Sequence, residues 1–190
     1  MSVAMTKPGK PSLESFYVEL RAILEDVHNL CADLTPEQFV TQPPSGGWSI
    51  QECLVHLNLT GELYCEQLEP VIDAAKASGE RGQGPFRYGL LGGLFIRSQE
   101  PPLRYRMKSP KSFRPVPVPD NSALPTFLAL QERLHNLMRR AEGLPLNKLK
   151  ITSPESKWLR MNVLEAFGLL LVHERRHLWQ AREVKDTLRA

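Results

Sequence analysis

The sequence predicts an all-α protein, a four-helix bundle with one long crossover connection between its second and third helices. Three observations carry that prediction. Four stretches place apolar residues at the spacing of a helix with one buried face. No stretch alternates apolar and polar residues as a half-buried strand does. Glycines and then prolines crowd residues 78–122, a connection too long and too rich in breakers for a simple turn. With 190 residues, 42% hydrophobic and 24% charged, residues 12–190 suit a single domain with a substantial core.

Residues 1–11 are polar and are expected to be disordered or frayed. Ser12 can cap a first helix whose apolar positions (Leu13, Phe16, Leu20, Ile23, Leu24, Val27, Leu30) recur at helical spacing, ending near Leu34. Thr35-Pro36 reads as an N-cap and a proline at the first position of a short turn. After the Pro43-Pro44 and Gly46-Gly47 loop, Ser49 and Glu52 form a capping-box pattern that opens the second helix. Pro70 lies inside that helix and predicts a kink or break. The 78–122 connection, with a short helix around Tyr88–Ile96, is expected to cross one end of the bundle and join two parallel helices. Its basic residues (Arg97, Arg104, Arg106, Lys108, Lys111, Arg114) could be a solvated surface or could meet an anionic substrate. Pro125 starts the third helix and Gly143 ends it; Leu144 to Ser156 is read as a plain connection. Asn162 with Glu165 caps the fourth helix, which runs almost to the last residue.

A net charge of only +3, with both signs interspersed, argues against nucleic acid as a partner. Arg139-Arg140 and Arg175-Arg176 read as solvated helix faces. Cys31, Cys53 and Cys65 form no CxxC pair and no disulfide framework, as in a reduced, cytoplasmic protein. No signal peptide and no apolar run of membrane-spanning length is visible, so no membrane role is expected.

The chemistry concentrates in Leu169–Gln180. His173 and His177 lie four apart, so their imidazoles share one helix face, and that face carries the apolar stripe. Two inward imidazoles need hydrogen-bond partners or a metal. His56, early in the second helix beside its core stripe, is the candidate third ligand. Zinc, nickel, iron and manganese all accept imidazole, and three ligands leave an open position for water or substrate. The bland alternative is three packed histidines. His28 and His135 lack partners at useful spacing and read as structural or surface residues; Cys53, one turn before His56, reads as core filler or as the fourth ligand of a closed, non-catalytic site. Glu174 points about 100° around the helix from His173 and could be a base, a support for the ligands or surface. His173-Glu174-Arg175-Arg176-His177 also fits the H-E-x-x-H protease pattern, but Gln180 and Glu183 occupy the next glycine and histidine positions of the extended motif.

Two segments carry a family resemblance. Trp48-Ser49-Ile50-Gln51-Glu52-Cys53-Leu54-Val55-His56-Leu57 resembles the W-S-x-x-E-x-x-x-H-L opening of the second helix in DinB-like (YfiT-like) proteins. His173-Glu174-Arg175-Arg176-His177-Leu178-Trp179-Gln180 resembles their H-x-x-x-H-x-x-Q ending. The resemblance spans about Ser12 to Val184. It implies a four-helix bundle with one long crossover and a divalent metal on three histidines, here His56, His173 and His177. Members with known activity include transferases and isomerases that use bacillithiol, mycothiol or glutathione; many others have none known. The resemblance supplies no catalytic base. The expected function is therefore a metal-dependent enzyme, a transferase that activates a small thiol toward an electrophilic substrate. A metal-dependent hydrolase and a non-enzymatic metal-binding or stress-associated protein are the alternatives; a homodimer is a candidate assembly, and an exposed apolar helix face forming its interface without a substrate pocket would favour the non-enzymatic class.

Overall fold

The computed structural model describes residues 10–102, 113–116 and 122–189. Most of the frayed-terminus expectation, and Arg104, Arg106, Lys108 and Lys111, fall outside them. The chain is mostly helical. Helix α1 (Leu13–Cys31) is followed by the short α2 (Pro36–Val40), α3 (Ile50–Ala77), α4 (Leu90–Ser98) and α5 (Ala123–Arg140). Strands β1 (Lys150–Ser153) and β2 (Ser156–Asn162) precede α6 (Val163–Arg189).

Helix starts follow the local chemistry of the sequence. Ser12 caps α1, Thr35 caps α2 and Ser49 caps α3 by accepting from the backbone N–H three residues on. Glu52 completes the box on α3, accepting from the Ser49 N–H at 2.7 Å. Glu165 does the same for α6, accepting from Asn162 N–H at 3.0 Å through Oε2. Its Oε1 also accepts from Gly89 N–H at 2.8 Å, pinning the long connection to the start of α6.

Side-chain pairs fix the helix directions. Asn58 of α3 donates to the Ala123 carbonyl at 2.9 Å. Further along, Arg133 pairs with Glu62 and Glu69, and Arg140 with Glu69 and Asp73. Numbers rise together, so α3 and α5 run parallel, as expected. Helices α1 and α6 are parallel by the same argument, through Arg175–Glu19, Arg182–Asp26 and Arg189–Asp33. The bundle is thus up, down, down, up. Helices α3 and α5 approach closely at Gly61, where an added methyl would overlap Leu130.

Three expectations are corrected. Helix α3 continues through Pro70, so of the expected kink or break the break does not occur. Pro70 is exposed, so the Glu66 carbonyl that loses its donor can bond water instead. The long connection does not simply cross one end. Joining two parallel helices, one of which is about 42 Å long, requires a return along the bundle's length. It meets α6 successively at Glu165, at Arg175 through Glu100, and at Arg176 through Gln99. Finally, 150–162 is an antiparallel hairpin, not a plain connection. Its first strand has four residues, of which Ile151 and Ser153 point inward, too short an alternation to stand out.

The core is contiguous. Phe16, Ile23 and Val27 of α1 meet Leu54, Tyr64 and Ile72 of α3, Phe127 and Leu134 of α5, and Phe167 and Leu170 of α6. Among the described residues, no helix is long and apolar enough to cross a membrane.

Candidate metal centre

The three predicted histidines come together. His56 stands two turns into α3, and His173 and His177 lie one turn apart on α6. One ring nitrogen from each lies within 4.8 Å of the others. Among the described residues, no other group of histidine, cysteine or carboxylate side chains converges in this way. His56 and His177 are only 4% and 7% exposed. Trp48, just before the cap of α3, covers them, its ring centroid 4.8 Å from His56 and 5.6 Å from His177.

Hydrogen bonds set the tautomers. The Phe113 carbonyl lies 2.6 Å from His56 Nδ1. A carbonyl only accepts, so Nδ1 carries the proton and Nε2 a lone pair. Gln180 Oε1 fixes His177 in the same way, at 3.1 Å from Nδ1. His56 Nε2 faces His173 Nε2 at 3.0 Å. Two nitrogens bound to one ion at about 2.0–2.1 Å stand roughly that far apart when their bonds are near right angles. The residues therefore fit a divalent ion: neutral imidazoles with their outer N–H groups held and their inner lone pairs converging.

Electrostatics keep the rings neutral. Burial, then the mutual charge of His56, then Arg176 push His173 down to about 3. Burial lowers His56 too, against the pull of the Phe113 carbonyl, and holds His177 well below its ordinary value. Neutral imidazole is the ligating form, so neutral pH leaves all three competent.

A cavity of about 730 Å³ opens on the cluster, lined by Trp48, Thr60, Tyr64, Phe95, Arg176 and the histidines among others. That is the size of a small-molecule site. Cys53 is not part of the cluster; it is fully buried in α3, and burial pushes its thiol up. His28 and His135 are exposed, His135 against the Tyr17 ring. Glu174 is buried but faces α5, accepting from Gln131 Nε2 at 2.8 Å, and does not line the cavity.

Residue reading from the sequence missed Phe113, Gln99 and Arg176. Nothing local marks Phe113 or Gln99. Arg176 was expected on a solvated face, yet it is buried; it lies three residues after His173, a spacing that shares a helix face.

Fold and cluster together define a helical bundle with a three-imidazole pocket that could hold a metal ion. The chain matches the DinB superfamily over residues 19–181, and it belongs to that superfamily. No curated protein and no solved structure matches it.

Proposed function

We propose that the protein is a metal-dependent enzyme in which His56, His173 and His177 hold one divalent ion that activates a small thiol for transfer to an electrophile. One observation carries this reading. The three nitrogens converge with no fourth protein ligand among the described residues, and they open onto a cavity. A structural site is ordinarily closed by a fourth side chain, whereas a reactive one keeps a position open. A divalent ion there supplies Lewis acidity, lowering the pKa of a thiol that reaches it.

The chain's own residues orient and shelter. Phe113 and Gln180 hold the two Nδ1 protons outward, and Trp48 shields the rings. In the transfer, the thiol loses its proton to water at the cavity mouth and sulfur bonds to the electrophilic atom. The bond to the leaving group breaks, and that group departs with the electron pair. Low-molecular-weight thiols stay reduced in the cytoplasm, where the free Cys31, Cys53 and Cys65 would also persist. A protease-like reaction loses its base, because Glu174 faces Gln131 rather than the cavity.

The test is Co²⁺ substitution of protein purified without a histidine tag. The resting protein is expected to lack a thiolate charge-transfer band in the near ultraviolet and to gain one on titrating 2-mercaptoethanol. A band already present at rest and abolished by Cys53→Ser would make the site a closed staple. No band with any thiol would sink the thiol reading.

A further inference from the structure

Arg175 and Arg176 are neighbours with opposite circumstances. Arg175 pairs with Glu19 and Glu100. Arg176 is only 7% exposed and has no carboxylate within ion-pair distance among the described residues. Among the described residues its one hydrogen bond is from Nη1 to Gln99 Oε1 at 2.7 Å. A neutral amide oxygen aims the guanidinium but does not neutralise it. Among the described residues one of its five donors is used, and the group lines the same cavity as the histidines. A buried cation without a counter-charge is a costly arrangement that an anionic ligand relieves. The acidic residues on the cavity wall, Glu155 and Glu183, are exposed and do not reach it.

We infer that Arg176, aimed by Gln99, anchors a carboxylate on the small molecule that enters this cavity, with the rest of that molecule extending toward the histidines. A carboxylate fits better than a phosphate. One guanidinium fork matches a planar monoanion. At the start of α3, beside Trp48, the Ser49 and Glu52 N–H groups are already taken up by the capping box. The anchor rests on the metal reading above only for the far end of the substrate.

Two measurements separate the two ideas. In Co²⁺-substituted protein, 3-mercaptopropionate and 3-mercapto-1-propanol share chain length and thiol and differ in charge. The acid is expected to reach half-maximal band intensity at about tenfold lower concentration or less. Arg176→Gln should bring that ratio to about one, Arg176→Lys should retain part of it, and Gln99→Leu should reduce it. Equal midpoints in the unaltered protein, or a ratio untouched by Arg176→Gln, would overturn the anchor. If no thiol gives a band, the thiol reading fails and the second measurement decides the anchor alone. In chelated protein at fixed ionic strength, propionate should raise the melting temperature of the unaltered chain and not of Arg176→Gln. No rise with propionate, or a larger Arg176-dependent rise with inorganic phosphate, would overturn the carboxylate assignment.

Discussion

His173 and Glu174 are consecutive residues of α6 that enter two different buried polar clusters. His173 turns to α3, where His56 and His177 join it beside a cavity. Glu174 turns to α5, where Gln131 gives it one hydrogen bond and where its Oε2 and the Gln131 Oε1 have no partner among the described residues. Both sides bear the cost of burying polar atoms, and they relieve it differently. On the histidine side, converging lone pairs and an open cavity allow relief by an added cation. The glutamate side is sealed, so a proton is the available relief. Burial raises Glu174 to about 8. A proton on Oε2 would turn one unsatisfied acceptor into a donor on the carboxyl that faces the Gln131 amide. The open polar cluster is thus the one that could take up a ligand, whereas the closed one of similar burial ties two helices together.

The sharpest way to break this comparison is to remove the ligands. His56→Ala, His173→Ala and His177→Ala should each abolish most bound metal in elemental analysis, whereas His28→Ala and His135→Ala should leave the stoichiometry unchanged. Equal metal content in all five would mean that the histidine cluster is as inert as the glutamate one.

Chelation is the next largest test. It should lower the melting temperature by several degrees, because a ligand bound only to the native state stabilises it. Far-ultraviolet circular dichroism should stay helical at room temperature, because the apolar core spans all four long helices. The chelated protein should also lose stability on acidification below about pH 6.5. The three histidines have lowered folded pKa values, so the unfolded chain binds protons that the native state refuses. Stability then falls as pH drops from the ordinary histidine value toward the folded ones. A thermal melt series that is flat between pH 7 and pH 4 would contradict the buried, neutral cluster.

Glu174→Gln probes the sealed side with a smaller effect. Between the ordinary carboxyl range and about 8 the native state holds a proton that the unfolded chain releases. Native stability therefore declines as pH rises through that window. The amide variant has no proton to lose and should melt several degrees higher than the unaltered chain at pH 8.5, with little difference at pH 5. Equal melting temperatures at both pH values would show that Glu174 is not held as the acid. Smallest of all, Cys53→Ser should lower stability by about 1–2 kcal/mol in denaturant titrations, from burying a hydroxyl in an apolar position, and leave metal content intact.

The sequence by itself determined the four long helices and the starts of α1, α3 and α6, whereas α5 begins at Ala123, two residues before the expected Pro125. Each is a local matter: apolar residues three and four apart select a buried face, and Ser12, Ser49 and Asn162 satisfy backbone groups within the next turn. It also placed His173 and His177 on one face, because helical spacing is a property of neighbours in the chain. It marked Gly- and Pro-rich 78–122 as the crossover, and the directions of α3 and α5 agree. Only the tertiary structure decided that His56 Nε2 stands 3.0 Å from His173 Nε2, across a separation of 117 residues. Only it assigned the Phe113 carbonyl to His56, buried Arg176 against Gln99, and turned Glu174 away from the cavity. Partners so distant in sequence leave no period to read. Whether a polar side chain meets water, a carbonyl or an empty cavity depends on how whole helices pack, and each packed neighbour changes the charge and proton affinity of the group it covers.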